Sequence, residues 1–389
     1  VSDIEHKKIN VVAISYGRTL FEPGNAERQR MLACSAEVQS YHMIVFTHRR
    51  DGLEVMQEHG LALHPTSSRF KLMMLWDAFW LGKKIVGARQ GQWVVTAQDP
   101  FEAGLVAWLI ARSKRVALNI QEHADYFSTS HWRQDSFVNG LRYYLGKFLL
   151  RRADTVRVVS NRIEKTLLAL GIARERIVSL PVRSDQIIED DGGDKGVGVL
   201  RQEYPNALII LTMARLVSQK NLSLLLNAFA VLAAQKPEAL LVIVGKGEQE
   251  SRLRDLVYRL KLTDRVIFLP WTESPDLLLK EADIYALSSN WEGWARVLIE
   301  AMAAGVSVVT TDVGCAGEVL LDGQHGYVVP VGDEKKFTER LIELSKDDAK
   351  RIAFGKAAKA AVSTFHTSSQ TYAKAWAEVL LSTCTLHNK

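Results

Sequence analysis

Short apolar runs alternate with stretches of helical periodicity along the whole chain. Ile9–Ile14, Met43–Thr47, Trp93–Thr96, Arg115–Ile120 and Thr155–Val159 read as buried strands. Between them, Asn25–Val38, Arg69–Ala88, Phe101–Ser113, Phe137–Arg152 and Arg162–Leu170 carry apolar residues at helical spacing. Near-continuous apolar strands separated by helices predict a parallel, doubly wound sheet, because helices cover both of its faces. Residues 184–199 (SDQIIEDDGGDKGVGV) break the rhythm. Their five acids and four glycines leave nothing to bury, so 185–199 reads as a surface linker.

A second alternating series follows. Ala207–Thr212, Leu240–Val244, Val266–Leu269, Ile284–Leu287 and Val306–Thr310 are strand-like, and Leu222–Ala234, Gln249–Leu260, Pro275–Glu281 and Val297–Ala304 are helical. Ser368–Leu386 predicts a last helix with Tyr372, Trp376, Val379 and Leu380 on one face. The expected architecture is α/β, with two Rossmann-like doubly wound domains facing each other. The domains are 1–184, to which a helix at about 368–389 returns, and 200–367. Such sheets bind ligands at the carboxyl ends of their strands, which predicts a site in the cleft between the domains.

Length and composition agree with this picture. A chain of 389 residues suits two cores, and 47% hydrophobic residues exclude a disordered chain. No apolar run approaches the roughly 18–20 residues of a membrane span, and the start does not read as a signal peptide. Cys34, Cys315 and Cys384 are too few and too scattered for a disulfide framework or a zinc site. The expectation is a cytoplasmic protein. The net charge of +5 conceals an asymmetry: residues 1–184 hold 26 Lys and Arg against 17 Asp and Glu, whereas 196–389 hold 22 of each. A basic half is compatible with nucleic acid, an anionic membrane surface, an acidic substrate or no partner at all.

Three segments carry candidate chemistry. Glu292-Gly293-Trp294-Ala295-Arg296-Val297, with Glu300 further on, follows a predicted strand and opens a helix. The backbone N–H groups of Ala295 to Val297 are the unpaired donors of that helix start and suit an anion. A carboxylate on each side of a phosphate cradle suits a nucleotide sugar, although two glutamates eight apart also occur in any solvated loop and helix. Arg215 and Lys220 leave the strand ALIILT five residues apart, and both can reach one diphosphate. Two surface cations would look the same. Gly245-Lys246-Gly247 reads as a tight turn.

In these residues the second half resembles the C-terminal domain of the retaining GT-B glycosyltransferases of family 4 (GT4, glycosyl transferases group 1). That family carries an Arg…Lys phosphate site, an EGFG-type loop and a Glu-x7-Glu signature in this order. The resemblance runs from Leu208 to about Asp333, through Gly314…Glu318 and DGQHGYVVPVGD. It extends more loosely to Glu22–Arg28, Gln98–Gly104, Gln121–Asp125 and Arg152–Ser160. It implies that Glu292 binds donor-sugar hydroxyls, Glu300 the ribose, and Arg215 and Lys220 the diphosphate. It implies further that Gly24 and Asn25 approach the phosphates, and that His123 sits beside the reacting sugar. Four departures stand out: Trp294 where Phe is usual, Ala295 where Gly is usual, the cation Arg296 where an apolar residue is common, and Gly24-Asn25 where two glycines are common. Ala295 narrows the loop slightly, and Arg296 is a candidate extra diphosphate contact.

The resemblance implies a glycosyltransferase with retention of anomeric configuration. No DxD follows a strand, so a metal-independent reaction is expected, with no cofactor. The donor is a nucleotide-diphospho-sugar, with UDP or GDP as the expected carrier, and the acceptor a glycan or lipid-linked glycan. A nucleotide-sugar epimerase, a glycoside phosphorylase and a non-catalytic sugar-nucleotide-binding subunit are the alternatives. His123 reads either as a site residue or as a capped loop histidine. Asp99 and Asp125 are candidate acceptor contacts, and Asp99 is equally placed to cap the next helix. Trp271 reads as a base-stacking residue or as core. Two basic, aromatic-rich stretches, Arg69–Lys84 and Lys147–Arg152, read either as core helices or as a face for an anionic membrane. The second reading would place the protein at the inner face of the membrane. Aromatics and cations do not interleave as nucleic-acid binding requires, so nucleic acid is not an expected partner.

Overall fold

The computed structural model describes residues 8–87, 91–128, 130–181, 199–272, 274–363 and 368–389. The chain divides into two compact units, Val1–Pro181 with Thr367–Lys389, and Val182–His366. The expected linker at 185–199 lies outside the described residues except for Val199, which opens a helix.

Unit 1 contains strands β1 (Ile9–Ser15), β2 (Ser40–Val45), β3 (Met56–Glu58), β4 (Leu61–Pro65), β5 (Gln92–Ala97), β6 (Ala117–Glu122), β7 (Thr155–Val158) and β8 (Ile177–Ser179). They form one sheet in the order β3-β4-β2-β1-β5-β6-β7-β8, parallel except for the β3–β4 pair. Every residue of β1 is buried, as an apolar strand covered on both faces must be. Its helices are α1 (Ala26–Ser35), α2 (Met73–Ile85), α3 (Glu102–Lys114), α4 (Ser130–Gln134), α5 (Phe137–Leu150) and α6 (Asn161–Ala169). Side-chain caps fix several starts: Asn25 accepts from Arg28 N–H, Ser136 from Asn139 and Ser160 from Ile163. The helix expected from Arg69 begins instead at Met73. Ser67 takes φ +48°, and Met73 N–H closes a turn on Phe70 O at 3.0 Å before the helix settles.

Unit 2 contains β9 (Leu208–Met213), β10 (Ala239–Val244), β11 (Val266–Leu269), β12 (Ile284–Leu287), β13 (Ser307–Thr311) and β14 (Gly326–Val329). All are parallel, in the order β11-β10-β9-β12-β13-β14. Its helices are α7 (Val199–Glu203), α8 (Leu222–Gln235), α9 (Glu250–Arg259), α10 (Pro275–Glu281), α11 (Arg296–Ala303), α12 (Glu334–Lys346) and α13 (Asp348–Ser363). Phe229, Leu232, Phe337 and Leu341 of α8 and α12 close its core over β9 and β10.

The last helix, α14 (Ser369–His387), belongs to unit 1. It packs beside α1 on one face of the sheet, where Ala373, Trp376, Ala377 and Leu380 join Val11, Met43 and Val94 in the core. Trp376 meets Tyr41 with ring centroids 5.1 Å apart. Burying side chains of this size stabilises unit 1 by about 1.5–3 kcal/mol each. Helices α2, α3 and α5 cover the opposite face, with α3 against β1, β5 and β6. Trp108 of α3 and Phe148 of α5 join edge to face at 5.4 Å.

Candidate active site

In unit 2 the strand order reverses direction between β9 and β12, and ligand crevices of such sheets open at the carboxyl ends there. The exit of β9 carries Arg215 and the turn Ser218–Lys220, and the exit of β12 carries Glu292. Hydrogen bonds join the two loops. Asn290 N–H donates to Gln219 O at 2.8 Å, Gln219 Nε2 to Trp291 O at 2.8 Å, and Ser288 Oγ to Lys220 O at 3.0 Å. Lys220 Nζ then meets Glu292 Oε1 at 2.5 Å, and Ser289 Oγ donates to the same oxygen at 2.7 Å. Glu292 Oε2 makes no hydrogen bond among the described residues, which leaves one carboxylate oxygen to accept from a ligand. Arg215 is exposed and in no ion pair among the described residues.

Glu292, Gly293, Trp294 and Ala295 are all buried. Ala295 stands at the start of α11 in the left-handed region, φ 57° and ψ 61°. Glycine adopts that conformation without a steric cost; alanine does not. Gly314 presses on this loop. A Cβ there would lie 2.7 Å from both Trp294 O and Ala295 Cβ, while Cys315 N–H donates to Trp294 O at 3.0 Å. No side chain caps α11; Leu298 N–H donates to Ala295 O at 2.9 Å, which leaves the N–H groups of Arg296 and Val297 available. The Arg296 guanidinium lies 3.5 Å from Glu300 Oε1, one turn along. Burial pushes the Glu300 carboxyl up, and Arg296 opposes that shift. Trp271, in the loop after β11, is 57% exposed and therefore no part of the core. Gly245 and Gly247 allow the β10 exit to lie directly on the backbone of Ala214 and Leu216, so this turn buttresses the approach to Lys220.

In unit 1 the order reverses between β1 and β5. Gly24 and Asn25 end the connection after β1, with Asn25 occupied as the cap of α1 at 3.0 Å from Arg28 N. Asp99 follows β5; its Oδ1 accepts Phe101 N–H at 2.7 Å, and burial pushes its carboxyl up to about 6. His123 follows β6. Its Nε2 lies 3.0 Å from Gln121 Oε1, and burial, with the charges of Arg157 and Arg30, pushes the imidazole down to about 3. Asp125 is buried and its carboxyl is pushed up by burial, although Ser128 N–H donates to it at 3.3 Å. Asp99, His123 and Asp125 thus come together at the carboxyl edge of one sheet. Unit 2 collects Arg215, Lys220, Trp271 and the residues from Glu292 to Glu300.

Sequence reading assigned no role of their own to Ser289, Gln121, Arg157 or Glu122, although Gln121 and Glu122 lie in the segment Gln121–Asp125 that carries the resemblance. Ser289 and Gln121 bear no signal beyond their place at a strand end. Arg157, in the apolar strand TVRV, is a cation where an aliphatic residue is expected. Glu122 is fully buried, and burial together with the Asp125 and Asp99 carboxyls holds it well above the usual carboxylate range.

Comparison with known proteins finds two family models. "Glycosyl transferases group 1" matches residues 201–361, and "Glycosyl transferase 4-like domain" matches residues 24–183. The chain is 33% identical over 157 residues to the N-acetylgalactosamine-N,N'-diacetylbacillosaminyl-diphospho-undecaprenol 4-alpha-N-acetylgalactosaminyltransferase of Campylobacter jejuni, covering 40% of this chain and 42% of that enzyme. The match therefore spans less than half the length of that relative. Among solved structures, the sucrose-phosphate synthase of Thermosynechococcus elongatus superposes with a TM-score of 0.76 at 19% identity, covering 97% of this chain and 98% of that one. Anabaena HepE in complex with UDP and glucose superposes with a TM-score of 0.74 at 20% identity, covering 96% and 99%. The fold is that of the GT-B enzymes.

Proposed function

The chain belongs to the group 1 glycosyltransferases of the GT4 type, and on that premise we propose that it moves a sugar from a nucleotide-diphospho-sugar to a glycan or lipid-linked acceptor in polysaccharide or glycoconjugate assembly. The observation that carries this reading is the Lys220–Glu292 pair at the strand-order reversal of unit 2, with the uncapped start of α11 beside it. Breaking the sugar–phosphate bond sends its electron pair to the diphosphate and leaves positive charge on the sugar ring. Arg215, Lys220 and the first-turn N–H groups of α11 answer the negative charge, as fixed dipoles and cations do best in a water-poor site. Glu292 Oε2 accepts from donor-sugar hydroxyls, Glu300 from the ribose, and Trp271 stacks on the base. With these cations in place the leaving group needs no metal. The acceptor hydroxyl attacks the face the diphosphate leaves and passes its proton to the departing phosphate oxygen, which retains the anomeric configuration.

The acceptor belongs to unit 1. The outer faces of α2 and α5 expose Trp76 (61%), Trp80 (49%), Phe137 (84%), Leu141 and Tyr144. Lys83 sits 4.7 Å over the Trp80 ring, and Arg152 4.4 Å over Phe148. Beside the start of α2, a cavity of about 560 Å³ is lined by His48, Arg49, Arg50, Arg69, Phe70 and Lys71. Aromatics flanked by cations suit an anionic bilayer surface, and a basic cavity suits the phosphates of a lipid-linked acceptor. The Campylobacter relative is named for a diphospho-undecaprenol-linked acceptor. Among the described residues no helix is long and apolar enough to cross a membrane.

The test is to incubate the protein with UDP-, GDP- and ADP-sugars and follow donor consumption and the anomeric NMR signal of the first product. A retained product, lost in Glu292→Ala and Lys220→Ala, supports the reading. An inverted product, or a C-epimerised donor with no transfer, overturns it. Donor binding without turnover points to the non-catalytic alternative.

A further inference from the structure

We infer that Gln121 and Arg157 are positioning residues that fix which ring nitrogen of His123 carries the proton, so that His123 meets a bound sugar as a hydrogen-bond acceptor through Nδ1. This rests on the reading of His123 as a residue facing the donor sugar. It concerns what the imidazole can do there.

A buried polar chain through unit 1 has its direction fixed from the end that Arg157 holds. Arg157 on β7 is buried, and its Nη1 donates to Gln121 Oε1 at 2.8 Å. A guanidinium has no acceptor, so the Gln121 atom it touches must be the oxygen. The amide nitrogen of Gln121 then faces Thr96 Oγ1 at 3.0 Å and donates to it. The Thr96 hydroxyl donates onward to Asn119 Oδ1 at 2.9 Å, and Asn119 Nδ2 to Thr155 Oγ1 at 2.9 Å. Thr155 Oγ1 lies 2.6 Å from Thr383 Oγ1, whose own proton goes to Val379 O at 2.7 Å. The chain therefore runs from a group that can only donate to a carbonyl that can only accept.

His123 joins this chain at its fixed end. Its Nε2 is 3.0 Å from Gln121 Oε1, an atom that can only accept, so Nε2 must carry a hydrogen. Nδ1 has no partner among the described residues. Burial beside Arg157 and Arg30 disfavours a second proton, which leaves a lone pair on Nδ1. Arg157 is itself held from a second side, by Leu180 O at 2.9 Å and by Tyr372 OH at 2.8 Å on α14. It has no carboxylate partner among the described residues. A buried guanidinium without a counterion costs stability, and here it sets the orientation of the amide that orients the histidine.

The experiment is long-range 1H–15N NMR of the full chain labelled at histidine, with His123 assigned by the signal missing from His123→Gln. One tautomer, protonated at Nε2, is expected at neutral pH. Titrating in a donor that binds should move the Nδ1 resonance upfield and leave Nε2 in place. Gln121→Leu removes the oxygen that demands the proton and should bring both tautomers to comparable populations; Arg157→Met frees the amide to flip and should do the same. A ring protonated at Nδ1, or an Nδ1 signal indifferent to a bound donor, overturns the inference. A single tautomer persisting in folded Gln121→Leu also overturns it. If no donor binds, the proposed activity fails, while the tautomer result still decides whether Gln121 and Arg157 set the proton.

Discussion

The ammonium of Lys220 lies 2.5 Å from Glu292 Oε1, in a pair whose side chains are only 14% and 10% exposed. Lys220→Ala would leave a mostly buried carboxylate without its cation. Such losses cost about 3 kcal/mol, somewhat less where solvent reaches the pair. Calorimetry should show the unit 2 transition shifted down in Lys220→Ala. The double variant Lys220→Met/Glu292→Leu should recover most of that shift and remain inactive. A Lys220→Ala protein that melts like the parent would show that the pair does not organise the loop.

Ala295 occupies a left-handed conformation that costs an L-residue about 1–2 kcal/mol. Ala295→Gly should therefore stabilise unit 2 by about 1 kcal/mol, read as a higher denaturant midpoint at unchanged slope. Gly314→Ala should act in the opposite sense and weaken donor affinity, because its Cβ would displace Trp294 O and Ala295 together. Equal midpoints for the three proteins would contradict the strain argument.

Two half-buried groups near the β5 and β6 exits push the pH dependence of stability in opposite directions. The folded Asp99 titrates at about 6 rather than 3.8, so between those values the folded state holds the extra proton. Its contribution to stability is therefore lost as pH rises through that window. His123 falls from 6.5 to about 3, so there the unfolded state holds the extra proton, and stability is lost as pH falls below 6.5. Asp99→Asn, which keeps an acceptor for Phe101 N–H, should gain on the parent from pH 4 to 7. His123→Gln should gain on it from pH 7 to 4. Urea midpoints across this range test both signs.

Flotation with anionic vesicles at low salt should carry the protein to the lipid fraction, and salt should release it. Trp76→Ser/Trp80→Ser should weaken flotation without changing the melting of unit 2. Absence of the parent protein from the lipid fraction would defeat the membrane reading of α2 and α5.

The strand–helix alternation and the final helix were legible because buried parallel strands leave uninterrupted apolar runs. Strands β3, β4, β8 and β14 were not, since each is short and part of its length is not buried. Lys220 and Glu292 were each visible beside a strand. Their contact was not, because it depends on β12 pairing with β9 across 72 residues of sequence. The backbone of Ala295 also escaped local reading: the loop that forces it left-handed arrives with Gly314. Arg69–Leu72 reads as helix by periodicity, yet the turn after Ser67 delays the first helical turn to Met73.

The return of α14 to the first sheet has a consequence for biosynthesis. Unit 2 is encoded without interruption. The first sheet emerges earlier but lacks Trp376, Leu380 and Tyr372 until about 200 further residues have been added, a delay on the order of 10–40 s at ordinary elongation rates. During that interval the face of β5, β6 and β7 that α14 covers stands open to water. The nascent first unit is the part of this protein with most to gain from a chaperone.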